Sequence, residues 1–140
     1  MKRLWGLCLV AILIVGLSAC INDTDKNGDS MFGISIVNNS DQEIYGLSFE
    51  YSLGENVIGS GMVSSADGKT VAIGDSLTWN DFSGVSDSSE FSVECFVQLT
   101  SDVKISCGEA VQLIKEQGKT HAFSLTGNSD IGFSLASTEE

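Results

Sequence analysis

The sequence predicts an all-β fold, a single antiparallel β-sandwich of about seven to nine strands. From Met31 onward, apolar residues alternate with small or polar ones, which is the two-residue period of a strand with one buried face. Turn-forming residues interrupt this pattern about every eight to twelve positions, a spacing typical of sandwiches and barrels. Together these observations predict one domain of ordinary size.

The first two predicted strands have the clearest alternation. Phe32, Ile34 and Ile36 share one face, and polar residues at 38–41 end this strand. Glu43–Leu53 is the longest segment and carries an aromatic residue or Leu at every second position over most of its length. We expect these large side chains to pack in the core.

Glycines and tight turns characterise the next three segments. Gly59 and Gly61 lie within Val57–Val63 and predict a bulge or a close approach of two backbones. Tight turns then flank Thr70–Ile73, and the alternation resumes at Leu77–Trp79 before a loop rich in Ser, Gly and Asp.

The second half of the domain contains two predicted hairpins and one ambiguous segment. Residues 91–107 form the first hairpin, and residues 121–125 and 131–135 form the last one. Residues 109–117 fit either a helical stripe or a strand face, and we favour a strand because the neighbouring segments are strands. The chain is predicted to end in a frayed tail at 137–140.

An export signal precedes the domain. Lys2 and Arg3 are followed by an uncharged run from Leu4 to Ala19 that is short for a membrane span and ends in small residues. The motif Leu17-Ser18-Ala19-Cys20 resembles the lipobox of bacterial lipoproteins. This resemblance covers the leader only and leaves the globular domain unassigned.

The resemblance implies cleavage between Ala19 and Cys20, a diacylglyceryl group on the Cys20 sulfur, and an amino group open to N-acylation. Membrane lipid is then a partner through Cys20, because two acyl chains anchor a protein stably. Ile21 is not the Asp that marks inner-membrane retention in some Gram-negative lipoproteins. We therefore expect an extracytoplasmic domain on the outer membrane or on the outer face of a cell membrane. An ordinary signal peptide with an incidental Cys, or an uncleaved helix, is the alternative.

The expected organisation is a cleaved signal peptide at 1–19, a lipidated N-terminus with an acidic flexible tether at 20–30, the β-sandwich at 31–136 and the tail at 137–140. The sandwich is expected to be immunoglobulin-like in architecture. It lacks the Cys-Trp-Cys order of true immunoglobulin domains, because Trp79 precedes both cysteines of the domain.

The chain is strongly acidic, with 19 Asp and Glu against seven Lys and Arg and a formal net charge of −12. Loss of Lys2 and Arg3 with the signal leaves five basic residues against nineteen acidic ones, a balance of −14. This balance argues against nucleic acid as a partner, because its binding depends on basic groups that displace counterions. The charge keeps an exposed domain soluble, and divalent cations or a basic partner are the functional alternatives.

Cys95 and Cys107 are the two thiols of the domain and are predicted to form a disulfide. Folding the chain about residues 100–102 places them directly opposite each other on the apolar face of an antiparallel pair. Opposed Cα atoms lie about 4.5–5.5 Å apart, which suits a disulfide, and the exterior compartment is oxidising. Two buried, reduced cysteines are the alternative. A redox or metal site is disfavoured by the eleven intervening residues and the single His.

The tether contains the first half of a calcium-loop pattern. Asp23, Asp25, Asn27 and Asp29 resemble the alternating oxygen ligands of an EF-hand loop. The second half fails, because Ile34 stands where the bidentate Glu is required. We therefore predict a flexible linker and no metal or other cofactor, with a calcium-dependent accessory domain as the alternative function.

No catalytic residue is predicted. His121 is the only histidine, so a Ser-His-Asp or Cys-His system must use it. It lies on the apolar face of its predicted strand, where a structural role is expected, and no catalytic motif surrounds any Ser. Trp79, Tyr45 and Tyr51 likewise share faces with apolar neighbours and are predicted in the core rather than on a sugar- or peptide-binding platform. A small surface hydrolase is the second alternative.

Two polar loops are the candidates for contact with a partner, since loops on a rigid sandwich commonly supply binding sites. Ser64, Asp67 and Lys69 belong to the first loop, and Ser83 and Asp87 to the second. The predicted function is a membrane-anchored, non-enzymatic binding or envelope-interaction domain. Its loops and strand edges are expected to meet an unidentified protein or envelope partner.

Overall fold

The computed structural model describes residues 31–139, which fold into two packed β-sheets and contain no helix. This confirms the predicted all-β sandwich and its number of strands. No helix among these residues is long and apolar enough to cross a membrane. The strands are β1 (Gly33–Asn38), β2 (Gly46–Leu53), β3 (Asn56–Ser64), β4 (Ser76–Trp79), β5 (Glu90–Gln98), β6 (Lys104–Ser106), β7 (Val111–Ile114), β8 (Thr120–Asn128) and β9 (Gly132–Ser137).

Strands β4, β1, β8 and β9 form the first sheet in that order, and β3, β2, β5 and β6 form the second, in which β7 also pairs with β5. The described strands pair antiparallel except at one pair. β1 and β8 run parallel, from Gly33 opposite Thr120 to Asn38 opposite Leu125. Alternation shows which face is buried but not the direction of a strand, and no hairpin joins β1 to β8.

The segment Thr70–Ile73 between the two predicted turns forms no strand. Only Val71 pairs, in a single bridge with Ile44, because turns on both sides leave no room for a longer ladder. Residues 109–117 contain β7, so the favoured strand is confirmed there.

The described residues of the predicted tail, 137–139, contact the first sheet. Ser137 is the last residue of β9, and the N–H of Thr138 donates to the carbonyl of Ala122 at 2.9 Å. The Glu139 carboxylate accepts from the Ala122 N–H at 3.2 Å. Pairing along β8 therefore holds the residues up to Glu139 against the sheet.

The core lies between the sheets and is built from alternate strand residues. Val97 and Leu125, one from each sheet, are both 0% exposed. On β3, Gly59 and Gly61 leave room for the rings of Tyr51 and Trp79, which a Cβ atom at either glycine would overlap. The register between β2 and β3 also shifts after Tyr51, so the predicted bulge is present, whereas the close neighbours of these glycines are aromatic rings and not a second backbone.

The sandwich has two ends that matter for function. The near end is where β1 begins, and it also carries residues 80–89, 115–119 and 138–139. The far end is where β1 ends, and it carries residues 39–45, 64–75, 99–103 and 129–131. About 20 Å separates the two ends along the six residues of β1.

Candidate binding groove at the far end

An open groove of about 520 Å³ lies at the far end, between β4 on the first sheet and the end of β3 on the second. Val71 is buried in its floor, and Leu77 is half-buried beside it. Val63, Ala66, polar residues and one carboxylate form the remaining walls. The lining residues are Val63, Ser64, Ser65, Ala66, Val71, Asp75, Ser76, Leu77 and Thr78.

One wall of the groove is the free edge of β4. The Asn38 N–H donates to the carbonyl of Asp75 at 2.8 Å, and the register then pairs Ile36 with Leu77. Because backbone groups alternate in direction along a strand, the N–H and C=O groups of Ser76 and Thr78 point away from β1. No backbone group between residues 31 and 139 pairs with them.

The opposite wall continues into the first predicted contact loop. The Asp67 carboxylate accepts from the Ser65 hydroxyl at 2.6 Å and from the Lys69 N–H at 3.0 Å. These two hydrogen bonds, in that order, lower the pKa of Asp67 below its usual value. The Lys69 ammonium lies 3.8 Å from the same carboxylate. Ser64 lines the groove directly, whereas Asp67 and Lys69 form the exposed turn beyond it.

A buried polar cluster holds the far end in place. Asn38 is 2% exposed, and its amide nitrogen donates to the carbonyls of Gln42 and Val71, each at 3.1 Å. Its side-chain oxygen accepts from the Ser40 hydroxyl at 2.6 Å and from the Ser40 N–H at 3.2 Å. The cluster thereby ties the end of β1 to Val71 in the groove floor.

The second predicted contact loop lies at the other end of the sandwich. The Ser83 carbonyl accepts from the Tyr51 hydroxyl at 3.2 Å, so this loop packs over the near end of β2. Asp87 lies 3.8 Å from the Lys115 ammonium, which also donates to the carbonyl of Val85 at 2.7 Å. The structure therefore does not bring Ser83 and Asp87 together with Ser64.

Cys95 and Cys107 lie opposite each other in the predicted register. The Cys107 N–H donates to the Cys95 carbonyl at 2.9 Å, and Val97 pairs with Ile105 two residues further on. Both side chains are buried, and their sulfur atoms are 3.5 Å apart as thiols, near each other but not bonded. The hydrogen bond with Cys107, burial and the charge of the neighbouring sulfur raise the pKa of Cys95 well above its usual value. A raised pKa disfavours the reactive thiolate.

His121 lies at the near end, with its Nδ1 3.2 Å from the Glu139 carboxylate. Its ring packs edge-on against Phe32, with 5.6 Å between the ring centres. The Nε2 atom is buried and has no hydrogen-bond partner among the described residues. A catalytic His uses this second nitrogen to activate a nucleophile, so the arrangement has the orienting carboxylate without the hydroxyl or thiol that a triad requires.

The predicted core aromatics are placed as follows. Tyr51 is buried, and Trp79 stacks on Phe49 with ring centres 6.0 Å apart. Tyr45 is half-buried.

Cys20 and the tether residues Asp23, Asp25, Asn27 and Asp29 lie outside the described residues. Between residues 31 and 139, no three His, Cys, Asp or Glu side chains are grouped as metal ligands.

The sequence predicted the turn that forms one wall of the groove but not the strand edge that forms the other. Ser64 and its turn were recognisable from loop composition, whereas Asp75, Ser76 and Thr78 were not. The alternation of Leu77 and Trp79 identifies a strand but does not show that the strand lies at a sheet edge. A strand of only four residues between turn signals is the available hint of an edge position.

Comparison with known proteins identifies no family for this chain. No protein-family model and no curated protein matches the sequence. One similar solved structure is the NMR structure of a protein from Eubacterium rectale, at 11% sequence identity and a TM-score of 0.48. The similarity covers 81% of this chain and 94% of that chain, and it is too distant to carry an argument. Nothing among these matches points to an enzyme family.

Proposed function

We propose that this protein is a lipid-anchored, non-enzymatic binding domain on the extracytoplasmic side of a bacterial membrane. The anchor is the diacylglyceryl group expected on Cys20. The observation that carries the proposal is that the chain enters the domain at one end and the groove opens at the other. Met31 enters at the near end, and the groove opens at the far end, about 20 Å away along β1.

This placement of the chain entry and the groove at opposite ends suits a tethered binding protein. The ten residues after Cys20 are predicted to be a tether, which as a flexible coil would span roughly 16–19 Å and would keep the near end close to the lipid. The groove at the far end would then face away from the membrane, where a partner can approach it. Loops and edges on a rigid sandwich are common places for such sites.

The chemistry of His121 supports the non-enzymatic interpretation. The ring packs edge-on against Phe32, and no described hydroxyl or thiol contacts the buried Nε2 atom, which agrees with a structural histidine. Replacement of His121 is therefore expected to alter stability. A surface activity that is measured for the protein and lost in His121→Gln, with the fold intact, would contradict this interpretation.

A disulfide between Cys95 and Cys107 is part of the proposal. The two thiols already face each other across β5 and β6, and closure of a loop of this size stabilises a domain by about 3 kcal/mol. Intact mass of the protein isolated from an oxidising compartment should rise by about two daltons on reduction. An unchanged mass, with two titratable thiols after unfolding, would contradict the disulfide.

The anchor is tested by metabolic labelling of cells with a fatty acid. The wild-type chain should carry the label and partition with membranes, whereas Cys20→Ala should lose the label. Cys8→Ala is the matched control, because Cys8 is expected to leave with the signal peptide. Equal labelling of wild type and Cys20→Ala would contradict the anchor.

A further inference from the structure

We infer that the groove receives one extended peptide strand from another protein, which pairs with the free edge of β4. This inference rests on the proposed binding function and names its site and the kind of partner. The incoming strand would lie antiparallel or parallel to Ser76–Trp79 and place alternate side chains over the apolar floor. Val71 and Leu77 form that floor.

The backbone of β4 supplies the hydrogen bonds. Ser76 and Thr78 each present an outward N–H and C=O, two residues apart, which is the spacing that an added strand requires. These groups line the groove, so a strand placed there is in reach of both. Main-chain bonds of this kind give affinity, and pockets for alternate side chains give specificity.

The edge of β4 is short, which limits pairing, but it carries none of the other common protections. Natural sheet edges carry charged residues, Pro or bulges that block another strand. Residues 76–79 contain neither charge nor Pro, and no register shift interrupts their pairing with β1. On β3, the shift in register lies near Val57, at the opposite end from Val63 and Ser64 in the groove. The parts of both edges that face the groove thus carry no charged residue, Pro or bulge.

The position of the chain ends argues against an occupant from the same molecule. The chain before Met31 leaves from the near end, and its last ten residues contain three Asp. Glu139 also lies at the near end, where it contacts His121. Neither end of the described chain points towards the groove.

Charge argues against a second copy. Asp75 lines the groove, so two identical grooves facing each other would bring two Asp75 carboxylates together. The partner is instead expected to supply an extended segment with alternate apolar side chains and no acidic residue. A basic residue facing Asp75 would add attraction.

The test is a selection of displayed random ten-residue peptides on the full-length chain, purified in mild detergent. We expect enriched peptides with alternate apolar residues and few Asp or Glu. Thr78→Pro removes one outward N–H without removing a bond to β1, and it should weaken binding by about tenfold or more. Thr78→Val keeps that N–H and is the matched control, with affinity within about threefold of wild type.

A second measurement avoids any change to the protein. The best peptide is synthesised in two forms, with N-methyl groups either on its odd-numbered or on its even-numbered amides. Each form lacks the hydrogen-bond donors along one of its two edges. One form should lose about tenfold or more in affinity for the wild-type chain and the other should lose little, because only one edge of the peptide meets β4.

Each remaining outcome overturns the inference. These outcomes are no enrichment, equal binding to wild type and Thr78→Pro, equal binding of both N-methylated peptides, or self-association of the chain that Thr78→Pro abolishes. Because the selection uses detergent-solubilised protein, it does not depend on the lipid at Cys20. Failure of the anchor and failure of the groove are therefore separate results.

Discussion

The Asn38→Ala substitution tests whether the buried polar cluster holds the far end together. Four hydrogen bonds join the Asn38 side chain to Gln42, Val71 and Ser40, at distances from 2.6 to 3.2 Å. At about 1 kcal/mol for each bond, simple addition gives roughly 4 kcal/mol.

The partners of Asn38 reduce that figure, because two of them keep other hydrogen bonds. The Val71 carbonyl still accepts from the Ile44 N–H at 3.2 Å, and the Gln42 carbonyl, 2.9 Å from the Ser40 hydroxyl, can accept the proton that this hydroxyl otherwise donates to Asn38. Only the buried Ser40 N–H loses its acceptor, at a cost of about 1–3 kcal/mol. The shorter side chain also leaves a small cavity. We therefore expect Asn38→Ala to lower the free energy of unfolding by about 2–4 kcal/mol.

Urea unfolding measures this loss as a fall in the free energy of unfolding with an unchanged slope. Asn39→Ala is the matched control, because Asn39 is exposed and makes one surface bond to Ser124, at 2.9 Å. The control should stay within about 1 kcal/mol of wild type. If Asn38→Ala costs no more than Asn39→Ala, the cluster does not hold the far end and the reasoning is refuted.

Three further predictions concern the core and the thiols. Leu125→Ala should lower the free energy of unfolding by about 2–5 kcal/mol, since Leu125 is 0% exposed; a loss below 1 kcal/mol would contradict its central place. Gly61→Val should displace Trp79 and shift its fluorescence emission to longer wavelength, and unchanged emission would show that the ring does not depend on the glycine. In the reduced chain, the raised pKa of Cys95 contributes stability below the usual thiol value of 9.0, and this stability is lost as pH rises above it. The oxidised chain and Cys95→Ser should lack this extra loss of stability above pH 9.0. Identical profiles of unfolding free energy against pH for the reduced wild type and Cys95→Ser would contradict this prediction.

Side-chain alternation predicted the faces of the sandwich but not the sheet neighbours. The parity of Phe32, Ile34 and Ile36 identified a buried face, and the opposed positions of Cys95 and Cys107 followed from a short connection. Pairing across a short connection is predictable because the turn limits the possible registers.

The features that sequence reasoning missed all depend on contacts between distant segments. The parallel pairing of β1 with β8 joins residues that are more than 80 positions apart. Asn38 was interpreted as part of a polar strand end, whereas it is buried, because its partners include Val71, 33 residues away. The groove arises in the same way, since β4 lies next to β3 only after the two sheets pack.

The central claim is that the far-end groove is the binding surface of a tethered domain. Its most direct test is photo-crosslinking in intact cells, with a photoreactive residue in place of Ala66 in the groove or of Ser134 on the exposed face of β9. We predict that Ala66 gives an adduct with one partner protein, that Thr78→Pro abolishes this adduct, and that Ser134 gives none. Equal adducts from both positions, or none from Ala66, would contradict the claim.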